Sequence, residues 1–443
     1  MVEDNIKFGV GMSQKWDPKK AGVEATNKAI EQVGYKPKFL LIFSTIHYAK
    51  EKGGLKSLLK GCRRLIDDNV PSIGGTVTGF ICPEGCFTHG VVVVAGSGDI
   101  DVSADYGEKV IYNPTSIGRK IGKTISRKLK DSKKRNKLLI EFTTGPTEPT
   151  WIASPRIYNF IKYFYKKLPL RISWFLRDLI INTYIALSPS GPGMEEDVLY
   201  AMSEPLNKYY LIGCSTFDDM ASLKHYQFLN SIALKDSTVA LGLSLNNKII
   251  LDRKLSLISL GKKFKIKKGW KDFCIDLINN QPASTQYLRE MGWPRVYMEA
   301  HIEQVTKKTF YYPLGFKDND QIYTFPVGFF FGESIVSNRK IRKDEVELFL
   351  TSSKKTLEDV ENYLKLITEK KTKFTLIIKG APMIGVFGAH INVMKKIMDY
   401  YLNNSPYLML FGSGEHSKKP NEKAIFNNFS TVMLSILEPK EVN

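Results

Sequence analysis

Cysteine and histidine are scarce: the 443 residues include five Cys and six His. An odd cysteine number in so long a chain does not fit a secreted disulfide framework. A long uncharged apolar run is also missing. The longest candidate, Leu168 to Leu187, carries Arg171, Arg177 and Asp178, and charges at the middle of a membrane span are costly. It therefore reads as a helix packed on protein. The opening Met1-Val2-Glu3-Asp4 shows no basic, then apolar, leader, so the expected compartment is the cytoplasm. Neither a phosphate loop ending in Gly-Lys-Ser/Thr nor a strained Gly-x-Ser-x-Gly turn occurs, which removes the motif-based readings of a P-loop enzyme and an α/β hydrolase.

Negative charge is in short supply too, with 45 Asp+Glu against 64 Lys+Arg and a net charge of +19. Such a field concentrates polyanions, anionic lipids and acidic small molecules near the surface, and is silent about fold. With 43% hydrophobic and 25% charged residues, the chain can bury several cores, which excludes bulk disorder.

Three stretches follow one plan of strand, helix, strand, helix and paired strands, which we bound at residues 6–99, 108–245 and 345–437. The first includes Phe39-Leu-Leu-Ile-Phe, Ser72-Ile-Gly-Gly-Thr and Gly90-Val-Val-Val-Val. The second includes Leu138-Leu-Ile-Glu-Phe, Tyr210-Leu-Ile-Gly-Cys and Ser237-Thr-Val-Ala-Leu. The third includes Val346-Glu-Leu-Phe-Leu, Phe374-Thr-Leu-Ile-Ile-Lys, Tyr407-Leu-Met-Leu-Phe and Ser430-Thr-Val-Met-Leu. Near-continuous apolar runs suit strands buried on both faces, and strands alternating with helices predict a layered α/β protein. Residues 246–344 have a different texture. The expected fold is α/β, layered sheets with flanking helices built from repeated strand-helix-strand units, in two domains, 1–250 and 251–443.

The order of four segments resembles the FIST family, named for F-box and intracellular signal transduction proteins. They are Gly74-Gly75-Thr76 with the strand from Gly90; Ile212-Gly213-Cys214-Ser215-Thr216-Phe217-Asp218-Asp219; Asn279-Asn280-Gln281-Pro282 with Tyr287 and Gly292; and Phe411-Gly412-Ser413-Gly414-Glu415 with Phe426-Asn427-Asn428. The resemblance implies a sensory module proposed to bind small molecules, amino acids among them, and to act through an output partner. One departure stands out. Where the family leads us to expect a Cys and an Arg after the strand at Phe374, this chain has Lys379-Gly380-Ala381-Pro382.

Glycines at the ends of buried strands let a backbone approach a ligand, and ligands of α/β sheets favour strand carboxyl ends. The candidate ligand contacts are therefore Gly74, Gly75, Thr76, Gly213, Cys214, Ser215, Thr216, Asp218, Asp219, Gly412, Gly414 and Glu415. The carboxylates would hold an ammonium, and hydroxyls and amides a carboxylate. Taken singly, the same glycines read as tight turns, and the Asp pair as a cap. Cys82-Pro-Glu-Gly-Cys86 with His89 has no second ligand pair, so it reads as a hairpin turn and no metal or other cofactor is expected. Cys214 with a nearby His is the catalytic alternative, though a cysteine after a buried strand is more often core, and no catalysis is expected.

The basic helix from Arg119 to Lys137 carries an apolar stripe at Ile117, Ile121, Ile125 and Leu129. It reads as a solvated face ahead of a nucleic-acid or anionic-membrane surface. Aromatic residues among basic ones at 157–187 read as sheet packing, with a lid, a dimer contact or a membrane-surface patch as alternatives.

Overall fold

The computed structural model describes residues 6–34, 36–147, 167–187, 194–219, 224–293, 308–327 and 329–438. The aromatic run Tyr158 to Tyr165 lies outside them.

The apolar runs form strands as their composition demands. The first repeat supplies β1 (Lys7–Ser13), β2 (Phe39–Ser44), β3 (Ser72–Thr76), the hairpin β4 (Gly79–Cys82) and β5 (Gly85–Phe87), and β6 (Val91–Ser97). The second supplies β7 (Asp101–Glu108), β8 (Asn136–Thr144), β9 (Tyr209–Thr216), the hairpin β10 (Gln227–Leu229) and β11 (Ile232–Leu234), and β12 (Ser237–Leu245). After β13 (Lys248–Leu255) come the strands β14 (Leu257–Gly269), β15 (Cys274–Ile278), β16 (Leu314–Asp318), β17 (Gln321–Phe325), β18 (Phe329–Phe331), β19 (Ser334–Val336) and β20 (Glu345–Thr351). The chain closes with β21 (Thr372–Gly380), β22 (Tyr407–Gly412), the hairpin β23 (Glu415–Lys418) and β24 (Ile425–Asn427), and β25 (Ser430–Leu437).

Three six-stranded sheets result, each mixing two repeats. Their orders are β1-β6-β2-β3-β10-β11, β24-β23-β9-β8-β12-β7 and β13-β25-β21-β22-β4-β5. Each repeat thus lends its hairpin to another repeat's sheet: β4–β5 pairs Ile81 with Met409, β10–β11 pairs Gln227 with Gly75, and β23–β24 pairs Glu415 with Cys214. The inner faces share one core, in which Phe39 and Phe43 meet Leu138 and Phe142, and Phe374 and Leu434. Helices cover the outer faces: α1 (Pro18–Val33) and α2 (Gly54–Cys62) on the first sheet, and α3 (Pro114–Lys128) on the second. The helix α4 (Leu170–Leu187) follows, and then α5 (Glu195–Ser203), which joins α3 on the second sheet.

Strands β14–β20 make a separate sheet with its own core around Phe264, Phe316, Phe325 and Val346, against which α6 (Ala283–Glu290) packs through Tyr287. The third body sheet is covered by α7 (Ser353–Ile367) and α8 (Ile391–Leu402). The layered α/β class of the sequence reading is what the chain adopts. Two strand assignments change. The second repeat opens on Asp101–Glu108, ahead of its expected start at residue 108. The edge of the third repeat, expected at Val346 to Leu350, is Lys248–Leu255, which pairs with β25 from Leu437 to Ser430. Glu345–Thr351 pairs instead with β14 in the separate sheet. Both segments carry the apolar alternation of a half-buried edge strand, so periodicity does not distinguish them.

Candidate functional site

The ends of the three parallel strand pairs meet at one junction. Thr78 N donates to Phe411 O at 3.0 Å, and Phe217 N to Thr76 O at 3.0 Å. Ser413 N donates to Ser215 O at 2.9 Å, and Ser215 N to Gly414 O at 3.1 Å. The segments Gly74–Thr76, Gly213–Asp219 and Gly412–Glu415, far apart in sequence, are therefore brought together. Their glycines are required by this closeness. A Cβ on Gly75 would stand 2.4 Å from Thr216 Cγ2, and one on Gly412 would stand 2.8 Å from Cys214 Sγ.

Most polar side chains at the junction are engaged. Thr76 Oγ1 accepts from Tyr226 N at 2.9 Å. Thr216 Oγ1 donates to Thr143 O at 3.2 Å and accepts from Gln227 Nε2 at 2.6 Å. Its second lone pair faces His225 Nδ1 at 3.1 Å, so Nδ1 carries the proton and Nε2 accepts from Thr147 Oγ1 at 3.0 Å. Burial pushes His225 down to about 4; it is a neutral ring.

The three expected ligand carboxylates have different surroundings. Asp218 is buried and its Oδ2 accepts from Lys224 N at 3.1 Å. Asp219 is exposed. Glu415 is buried, and its Oε2 accepts from Ser430 N at 3.1 Å and Ser430 Oγ at 3.0 Å. Glu415 Oε1 has no hydrogen-bond partner among the described residues, and burial raises the carboxyl to about 8. Lys379, in the segment where a Cys and an Arg were expected, is fully buried and pulled down to about 8 by the same desolvation. Its Nζ donates to Phe429 O at 2.8 Å. Phe429 is held at φ 65°, an uncommon conformation for a bulky residue.

A second buried cluster escaped the sequence reading. His416 Nδ1 is hydrogen-bonded to Glu141 Oε1, and its Nε2 lies 3.4 Å from Ser215 Oγ. Ser215 Oγ also lies 3.3 Å from Glu195 Oε1, at the first turn of α5. Glu141 fits because Gly213 faces it: a Cβ there would stand 2.4 Å from Glu141 Oε1. Burial lifts Glu195 to about 8; Ser215 Oγ donates to its Oε1, with His416 Nε2 within reach of the same hydroxyl. The result is the hydrogen-bond chain of a nucleophile, a base and an orienting carboxylate, closed from solvent, since Ser215, His416 and Glu141 are fully buried. One sequence signal was available: Glu141 is a lone charge within the run Leu138–Phe142.

Cys214 is not part of this chain. It sits opposite Glu415 on the neighbouring strand, whereas His416 sits opposite Gly213, one step along. Alternation puts Cys214 and His416 on opposite sheet faces. Burial raises the Cys214 thiol well above its ordinary value, which opposes a thiolate nucleophile.

Beside the junction, Arg339 ties the separate sheet to α5. Its Nη2 donates to Glu196 Oε1 at 2.7 Å and its Nη1 to Phe426 O at 3.2 Å, with the guanidinium 4.7 Å from the Tyr323 ring. Arg342 reaches the same Glu196 oxygen at 2.7 Å. Elsewhere, a groove of about 900 Å³ runs along α3, lined by Tyr112, Arg119, Lys120, Lys123 and Arg127; Arg119 is paired with Glu204 at 3.0 Å. Cys82 and Cys86 lie on the two strands of the β4–β5 hairpin, and among the described residues no three His, Cys, Asp or Glu side chains gather in a metal-binding group. No helix among them is long and apolar enough to cross a membrane.

No curated protein matches the chain. Among solved structures it is similar to cyanuric acid hydrolase from A. caulinodans, at 7% identity and a TM-score of 0.26, over 54% of this chain and 71% of that one. So low a score carries no argument about function. The FIST N domain matches residues 38–278, which takes in β2 to β15, two of the three converging strand ends and the Ser215 side of the buried chain. The chain belongs to the FIST family.

Proposed function

We propose that this protein is a cytoplasmic sensory module that binds a small ligand, an amino acid in the leading case, at the three-way junction and signals through a partner protein without itself performing catalysis. The observation that carries the reading is the convergence of three glycine-bearing strand ends from three repeats. A ligand seated there touches all three sheets, so its binding energy acts on their mutual packing. Glu415 Oε1, buried and unpartnered among the described residues, leaves a carboxyl oxygen for a polar group of the ligand. The Arg339–Glu196 contact joins this region to the separate sheet, which gives a ligand-induced shift a surface on which to be read.

The test is thermal unfolding across amino acids, nucleotides, simple anions and divalent cations. A ligand at a hundred times its Kd stabilises the fold by about 2.7 kcal/mol. A dose-dependent rise with one compound class, lost in Asp219→Ala, supports the reading. A flat panel defeats it.

The Glu141–His416–Ser215 chain favours a second reading, a serine nucleophile. Ser215 Oγ would attack an electrophilic centre and pass its proton to His416 Nε2. A small fluorophosphonate tests it: Ser215 Oγ bonds to phosphorus and fluoride departs. Mass spectrometry should then find one adduct, absent in Ser215→Ala. An unmodified Ser215 under native conditions rejects this reading.

A further inference from the structure

We propose that α4 is a docking surface for an anionic lipid bilayer, on which the protein lies peripherally. At 100° per residue, Ser173, Arg177 and Ile181 share one side of α4, and Ile172, Phe175 and Leu179 the other. The first side is anchored. Arg177 is buried and hydrogen-bonded to Asp276 and Ser334 Oγ. Ile181 packs on Trp270, Phe273 and Cys274. The second side is bare: Ile172 is 47% exposed, Phe175 67% and Leu179 52%.

A rigidly held helix that presents an apolar stripe outward is the geometry of an interfacial helix. Charge decides which occupant it fits. Exposed Arg171 borders the stripe, and Lys267, whose ammonium lies 5.0 Å over the Trp174 ring, and Lys271, 5.3 Å over the Trp270 ring, add positive charge beside α4. The acidic neighbour on the helix, Asp178, pairs with Arg177 at 2.6 Å and shares that guanidinium with Asp276. The whole chain carries +19. Two such cationic surfaces facing each other in a dimer would repel, whereas an anionic headgroup layer complements the lysine and arginine border while its acyl boundary takes the stripe. This role adds to ligand sensing and does not depend on it.

The experiment is co-sedimentation of the full chain with vesicles of phosphatidylcholine alone and of phosphatidylcholine mixed with phosphatidylserine. The expected result is binding to the mixed vesicles only, weakened by salt and reduced by about tenfold or more in Phe175→Glu. The double variant Arg171→Glu with Lys267→Glu should also lose binding while keeping the apolar stripe intact, and circular dichroism of each variant should match the parent. Equal binding of parent and variants, no binding to mixed vesicles, or a dimer by light scattering that Phe175→Glu turns into a monomer would each overturn the proposal.

Discussion

Replacing Glu195 by Gln should make the protein more stable, and increasingly so as pH rises. Glu195 is buried beside Ser215, its Oε2 has no hydrogen-bond partner among the described residues, and burial lifts it from 4.5 to about 8. A carboxyl whose folded value lies above its unfolded value binds its proton more tightly when folded. Its stabilising contribution is whole below about 4.5 and is lost by about 8, as the unfolded chain ionises first. Each unit is worth about 1.4 kcal/mol, so the full window costs the native state about 5 kcal/mol. Glutamine keeps the shape of the protonated carboxyl, and its Oε1 can accept from Ser215 Oγ as the carboxyl oxygen now does. The gain over the parent should be under about 1 kcal/mol at pH 5 and about 3 to 4 kcal/mol at pH 8. Urea unfolding of both proteins at these two values measures it. A pH-independent difference between parent and variant, or a loss at pH 8, would refute the assignment of a protonated Glu195 to the Ser215 cluster.

Gly213→Ala should destabilise by roughly 3 kcal/mol or more, because the new methyl would stand 2.3 Å from Glu141 O and 2.4 Å from its Oε1; denaturant midpoints check this. Asp276→Ala leaves Arg177 buried without its principal counter-ion, at a cost of about 3 to 5 kcal/mol, and limited proteolysis should show α4 cleaved faster. Under native conditions a thiol reagent should modify Cys86 first, since it is half-buried while Cys62, Cys82, Cys214 and Cys274 are buried; reaction of Cys214 before unfolding would contradict its placement. His225, neutral at about 4 when folded against 6.5 in the unfolded chain, contributes stability that falls away as pH drops from 6.5 towards 4. His225→Gln should flatten that part of the stability profile.

The α/β class and the threefold recurrence could be read along the chain because they depend on local pattern. Runs such as Phe39–Phe43 and Leu138–Ile140 are apolar on every residue, and only a strand covered on both faces buries them all. The glycine turns were visible for the same reason. Their meeting point was not, since the exchange of hairpins β4–β5, β10–β11 and β23–β24 among the sheets pairs residues such as Ile81 and Met409, hundreds of positions apart. Ligand contacts at Asp218, Asp219 and Glu415 were inferred from one shared sequence setting, yet one is exposed and the other two take different partners.

What the sequence determined by itself was periodicity: where strands and helices form, and which faces must be covered. Tertiary structure decided everything that rests on desolvation and on distant pairing. Glu141, Lys379 and Arg177 each interrupt an apolar stretch, but only the fold surrounds them with protein and supplies His416, Phe429 O and Asp276 as partners. A charge in a buried strand is tolerable only when such a partner arrives from elsewhere in the chain, and one-dimensional pattern does not encode that arrival.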